Sequence, residues 1–197
     1  MRFMLITNRT LSESDLETTI EAACASGVRL VQLREKDLNG KSLLLLAQSL
    51  RTITTHYGAT FIVNSRLDIA LAAQADGLHL PEQALPVQTV RRFFSGLVGR
   101  SVHSIAGAKE AEQSGADYLL FGHIFETASK TTDAHGLHAL EEVCKSVSIP
   151  VYAVGGVTPE RASMCLKAGA FGVAVMNGVM SASNVQTSVN AYLTALN

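Results

Sequence analysis

Only three cysteines occur in this chain, Cys24, Cys144 and Cys165. They are odd in number, far apart and without a paired C-x-x-C spacing, so neither a disulfide framework nor a zinc site is indicated. A reducing, cytoplasmic setting is expected. The chain also has no run of lysine or arginine and no basic helix, and its formal net charge is -1. The footprint of a nucleic-acid or membrane-surface partner is therefore missing, and neither partner is expected. The opening MRFMLIT is too short for a signal-peptide core, and no later segment approaches the roughly 20 apolar residues needed to span a bilayer. Nothing resembling a linker, a low-complexity tract or a charge block divides the 197 residues. A single domain over residues 1–197, built on one substantial core, is expected.

What the sequence does have is alternation. Short β-rich apolar runs lie near Phe3 to Thr7, Leu30 to Leu33, Thr60 to Val63, Gly77 to Leu80, Val98 to His103, Tyr118 to Gly122, Val151 to Gly155 and Gly172 to Met176. Longer helical stretches separate them, such as Ser14 to Ala25, where Asp15 and Glu17 suit a helix start, and Leu43 to Thr54, apolar on nearly all sides. Gly27, Gly58, Gly115 and Gly169 fall where C-terminal caps belong. Eight βα units without an obvious sequence repeat predict an α/β fold, a single (β/α)₈ TIM barrel. The rival, an open doubly wound sheet, calls for G-x-G-x-x-G after the first strand, and Thr7, Asn8 and Arg9 stand there instead.

A barrel collects its chemistry where strands end. Gln32, Arg34 and Lys36 are spaced by two, so an extended backbone points all three toward the mouth, where Arg and Lys call for an anion. The competing reading is a solvated cluster of Arg34, Glu35, Lys36 and Asp37. Asn64, beside Val63, either orients a ligand or caps a helix beginning near Arg66. The stretch GADYLLFGHIFETASK ends a strand on His123 and follows it with Thr127, Ser129 and Lys130, a proton carrier beside anion ligands. Gly155 and Gly156 after one strand, and Asn177 and Gly178 after the next, suit the phosphate site of this architecture, with Thr158 and Pro159 fixing the start of the helix between. His79, alternating with Leu78 and Leu80, is expected to face the barrel interior. His103 is either a second site imidazole or, the favoured reading, a buried histidine satisfied by backbone. His135 and His138 are expected at exposed or capping positions, and His56 at a helix end. None has metal-ligand spacing, so no metal is expected.

The segments VQLREKD, IVNSRLDIAL, GLHLPEQALP, GRSVHS, FGHIFETASK and IPVYAVGGVTPE, together and in this order, resemble the thiamine phosphate synthase/TenI family over most of the chain, its TenI branch more closely. The resemblance implies a (β/α)₈ barrel in which Gln32, Arg34 and Lys36 face the substrate, Thr127, Ser129 and Lys130 match the Thr-x-Thr-Lys loop, and Gly156 and Asn177 fall on phosphate-binding turns. Ser101 and His103, within GRSVHS, complete the candidate substrate-binding set. Synthase-type sequences carry aspartates for magnesium where Ser65 and Ala84 stand here. Asp68 is not an evident replacement, because it is present in addition to that pair, and Glu82 follows Pro81, which changes its loop. A pyrophosphate leaving group needs such ligands. His123 replaces the proline of the synthase Gly-Pro-Ile-Phe run, as in TenI.

The TenI branch implies a thiazole tautomerase acting on a small carboxythiazole phosphate without a cofactor. An imidazole with an ordinary pKa of about 6.5 can serve as base and then acid, and His123 is assigned that role. Arg34 and Lys36 would take the carboxylate, and Gly155, Gly156, Asn177 and Gly178 the phosphate. The alternatives are a magnesium-dependent thiamine phosphate synthase and a non-catalytic thiazole-phosphate-binding regulator. Family analogy points to a homo-oligomer.

Overall fold

The computed structural model describes residues 1–127 and 133–197. Among them, β1 (Phe3–Ile6), β2 (Leu30–Leu33), β3 (Thr60–Asn64), β4 (Gly77–Leu80), β5 (Leu97–Val102), β6 (Tyr118–Gly122), β7 (Val151–Val154) and β8 (Gly172–Val175) pair in chain order and close into a barrel. All eight pairings are parallel, with β8 returning to β1. The helices are α1 (Leu16–Ala25), α2 (Gly40–His56), α3 (Leu67–Ala72), α4 (Val87–Arg91), α5 (Ile105–Gln113), α6 (Gly136–Ser146), α7 (Pro159–Lys167), α8 (Asn177–Met180) and α9 (Val185–Ala195). The expected (β/α)₈ TIM barrel is the fold observed. No described helix is long and apolar enough to cross a membrane.

Side chains alternate faces along a strand, so each strand feeds two cores. Phe3, Leu5, Val31, Leu33, Phe61, Val63, Leu78 and Leu80 point outward and pack under the helices. Met4, Ile6, Leu30, Ile62, Tyr118, Leu120, Tyr152 and Ala174 form the separate cluster inside the barrel. Burial on both faces explains why the strands read as near-continuous apolar runs.

Capping sets the helix limits. The Asp15 side chain accepts from the Thr18 N–H at 2.8 Å, so α1 starts two residues later than Ser14. The Asn39 side chain accepts from the Ser42 N–H at 3.0 Å and starts α2 three residues before Leu43. On α2 only Leu43, Ala47, Leu50 and Thr54 are fully buried, while Leu45 is 61% exposed, so its apolar surface is wider than its buried face. At the end of α1 the Gly27 N–H reaches Cys24 O and the Val28 N–H reaches Ala23 O, with Gly27 at φ +110°, the paired bonds of a Schellman cap. The same pair recurs at Gly58, Gly115 and Gly169, and at Gln74, which adopts φ +51° without being glycine. Asn64 does not cap α3: it belongs to β3, and the cap position is Arg66, whose side chain makes no capping bond. Cys24, Cys144 and Cys165 are free thiols, each pushed up to about 11 by burial.

Two aspartates fasten the opposite end of the barrel from the strand C-termini. The Asp76 carboxylate accepts from the Phe61 N–H at 2.8 Å and from Arg51 at 2.5 Å. The Asp117 carboxylate accepts from the Val98 N–H at 2.7 Å and pairs with Arg91. Each stands just before its own strand and caps the strand preceding it, using an arginine from α2 or α4 as counter-charge. Asp117→Ala should therefore lower unfolding stability by about 1–2 kcal/mol, allowing for its partial exposure, with unchanged ligand binding. Urea unfolding measures this, and a stability equal to wild type would contradict it.

Candidate functional site

The inward-facing series runs past the last apolar layer and emerges at the C-terminal mouth. There Ile6, Asn8, Gln32, Arg34, Asn64, His79, Ser101, His103, Gly122, Val154 and Met176, all of the inward parity, line a cavity of about 430 Å³. Lys36, Glu82, His123, Thr127, Gly155 and Asn177 join them. A second cavity of about 310 Å³ shares Thr127, Gly155 and Asn177 and adds Gly156, Thr158, Arg161 and Gly178. Every expected site residue that is described thus borders one of two adjoining cavities. Ser129 and Lys130 lie outside the described residues.

His123 is 6% exposed. It directly follows β6, and the Gly122–His123 peptide is cis. Pairing with β7 continues past the strand end through Ile124 N–H to Val154 O at 3.0 Å and Phe125 N–H to Gly155 O at 3.1 Å, which fixes the backbone on the far side of the histidine. Gly155 sits at φ +93°, and a Cβ there would collide with the Cβ of His123. This glycine is required for packing the histidine. At the second turn, Arg161 donates to Gly156 O at 2.9 Å and lies 4.7 Å above the Phe125 ring. Thr158 and Pro159 occupy the cap and first-turn positions of α7 as expected. Asn177 and Gly178 open α8, whose first N–H groups have no partner within the helix.

The stretch from Arg34 to Asp37 is not simply a solvated charge cluster. Glu35 is buried and accepts from Thr7 Oγ1 at 2.7 Å and the Arg9 N–H at 3.0 Å, while Asp37 pairs with Arg9 at 2.6 Å. The Arg34 N–H donates to Thr7 Oγ1 at 2.9 Å. Acidic and basic residues separate: Glu35 and Asp37 turn to Arg9, leaving Arg34 and Lys36 on the cavity wall. Burial holds the Arg34 guanidinium below its ordinary value, against a smaller opposing effect of Glu35. An anion in the cavity would relieve that cost.

His103 corrects the sequence reading. It is not a buried, backbone-satisfied histidine: its side chain is 41% exposed and stands 3.9 Å from Glu82. His135 is exposed at the cap position of α6, as expected, but its ring makes contacts the sequence did not reveal. Its side chain makes no capping bond, its N–H donates to His123 O at 2.9 Å, and its ring lies among those of Phe121, His103 and His123. Nothing local in the sequence marks this, because the two histidines are well separated along the chain. His138 is exposed, and His56 ends α2, as expected.

The carboxylates do not fit a magnesium ion. Ser65 and Ala84 stand where the resemblance places aspartates, Glu35 and Asp37 are committed to Thr7 and Arg9, Asp68 is paired with Arg66 at 2.5 Å, and Glu82 faces His103. Among the described residues no three His, Cys, Asp or Glu side chains are grouped to hold a metal ion.

A family model described as "Thiamine monophosphate synthase" matches residues 3–179. The chain belongs to this family. A relative from Aquifex aeolicus named "Putative thiamine-phosphate synthase 2" is 45% identical over 175 residues, covering 88% of this chain and 94% of its own. "Thiamine-phosphate synthase 2" of Streptococcus pneumoniae is 38% identical over 200 residues, covering 100% of this chain and 95% of its own. The solved thiamine phosphate pyrophosphorylase of Pyrococcus furiosus superposes with a TM-score of 0.92 at 33% identity, covering 99% of this chain and 95% of its own. The family is one of thiamine biosynthesis, and the names of these relatives are those of thiamine-phosphate synthases rather than tautomerases.

On the floor of this thiamine-family barrel, His79 is 1% exposed, with Nε2 2.8 Å from Ser101 Oγ and Nδ1 3.2 Å from the Tyr118 hydroxyl. Its interior position is the expected one. Burial, then Arg100 and Arg34, push its pKa down to about 3, so it stays neutral and fixes the Ser101 hydroxyl at the cavity wall. The unfolded chain protonates this imidazole below its ordinary value of about 6.5. Between that value and about 3 the unfolded state therefore binds more protons, and stability must fall as pH falls through the window. The loss due to this group should be about 1.4 kcal/mol per pH unit. In urea unfolding at pH 7 and pH 5, His79→Gln should show a shallower decline than wild type, and equal declines would contradict the buried neutral state.

Proposed function

We propose that this chain is a thiazole tautomerase, converting a non-aromatic carboxythiazole phosphate tautomer into the aromatic carboxythiazole phosphate. The observation that carries the reading is His123, buried on the cavity wall and packed on the Gly155 turn, in a cavity that also exposes Arg34 and adjoins the glycine turns.

Arg34 and Lys36 take the ring carboxylate, and burial of Arg34 makes an anionic partner favourable. The N–H groups around Gly155, Gly156, Asn177 and Gly178 take the phosphate, with Thr127, Ser129 and Lys130 on the same anion. Gln32, Asn64 and Ser101 orient the ring. His123 removes the proton from ring C2, and the C2–H electron pair enters the ring as a π bond. The exocyclic double bond shifts its electrons to form a bond to the proton returned by the imidazolium. The ring becomes aromatic, no redox partner is consumed, and the histidine ends as it began.

A second reading, thiamine phosphate synthase, is favoured by the names of the relatives and by the Pyrococcus furiosus likeness. It would couple a pyrimidine pyrophosphate to thiazole phosphate and calls for Mg²⁺, for which the donor set described above is unsuited.

His123→Gln should lower kcat for the tautomer by about 100-fold or more while product affinity, measured calorimetrically, stays near that of wild type. An unchanged kcat would overturn the assignment.

A further inference from the structure

The mechanism leaves His135 unused, although its ring is the nearest imidazole neighbour of His123 that the structure records. Their ring centroids lie 6.1 Å apart at 59°. On its other side His135 stacks on His103 at 5.7 Å and 19°, while Phe121 closes one flank at 5.0 Å. His103 Nε2 is 3.9 Å from Glu82 Oε2. His123 is 6% exposed, whereas His135 is itself exposed and the side chains of His103 and Glu82 are 41% and 48% exposed. Two backbone bonds fix the arrangement, His135 N–H to His123 O at 2.9 Å and Gly136 N–H to Ile124 O at 3.1 Å. The His135 side chain makes no capping bond to its own helix, so capping does not account for the placement of the ring.

We propose that His135 forms a proton route between buried His123 and solvent, with His103 and Glu82 beside it at the outer edge. Water between the rings would carry the proton across each gap. The inference rests on the tautomerase reading for its chemical consequence. After His123 has taken the C2 proton, its N–H bond breaks and the proton passes to His135 and from there to water, directly or by way of His103. A solvent proton returns by the same route, restores the imidazolium and is the one delivered to the exocyclic carbon. Water is the only exchange partner, and the charge of the site is unchanged over the cycle. The titratable groups facing His135 are His123 and His103, with Glu82 reached through His103. Burial and these two imidazoles hold His135 below its ordinary value, which suits a carrier that releases its proton rather than retaining it.

The test uses tautomer bearing deuterium at ring C2, turned over in ordinary water, with the deuterium retained in the product methylene read by mass spectrometry after subtraction of spontaneous aromatisation. Wild type should lose most of the label, and His135→Phe should raise retention by about threefold or more. His103→Gln should raise it less, and His135→Gln serves where the phenylalanine variant does not fold. Equal retention in wild type and the His135 variants would overturn the route. A second readout does not depend on the reaction: in NMR titrations of the imidazole Cε1–H signals, His123→Gln should raise the midpoint of His135 by removing a like-charged neighbour. An unmoved midpoint overturns the route even if turnover is normal. A wild type that turns over no tautomer tells against the tautomerase reading, and the titration still decides whether the two imidazoles are coupled.

Discussion

Closing eight parallel strands into one barrel leaves every second side chain with nowhere to go but inward, and the rest of this molecule follows from how that inner series is filled. Lower down it is apolar, with Met4, Ile6, Leu30, Ile62, Tyr118, Leu120, Tyr152 and Ala174 forming a sealed plug. Nearer the strand C-termini the same parity turns polar, through Gln32, Arg34, Asn64, His79, Ser101 and His103. Residues from seven strands, joined by Met176 just after the eighth, thus reach one cavity from segments spread along the chain. The opposite end is held by Asp76 and Asp117, whose carboxylates take the exposed N–H groups of neighbouring strands. Chemistry and fastening are kept at opposite ends.

Within the mouth, the decisive contact is between His123 and Gly155. A side chain at 155 would occupy the space of the histidine, so the glycine turn is what lets the imidazole sit on the cavity wall. Charge is sorted in a similar way. Arg9 draws Glu35 and Asp37 to one side, and Arg34 and Lys36 stand on the cavity wall. Neutral His79 beneath them fixes a hydroxyl without adding charge.

Much of this was legible in the sequence because it depends on a period of two. Tyr118–Gly122 and Gly77–Leu80 were delimited as observed, and the Gln32, Arg34, Lys36 series was aimed correctly at the mouth. Glycine caps were legible at Gly27, Gly58, Gly115 and Gly169, but Gln74 takes the same conformation with no glycine to signal it. What the sequence concealed depends on contacts between loops. His103 was expected to be buried and stands exposed beside Glu82. Asn64, with two readings open, proved to be a strand residue rather than a cap. His135 meets His123 through contacts between residues separated along the chain, His135 N–H to His123 O and Gly136 N–H to Ile124 O. The functional branch is proposed only by resemblance, from Ser65 and Ala84 where synthase-type sequences carry aspartates and from the histidine at 123, because the barrel itself accommodates both reactions.

The central claim is that this family member moves a proton rather than displacing pyrophosphate. It is tested most directly by giving the purified protein the thiazole tautomer in one reaction and the pyrimidine pyrophosphate with thiazole phosphate in another, each with Mg²⁺ and with EDTA. The account requires aromatic carboxythiazole phosphate to form at the same rate with and without Mg²⁺, and no thiamine phosphate to form. Magnesium-dependent thiamine phosphate synthesis without acceleration of the tautomer's aromatisation would contradict it.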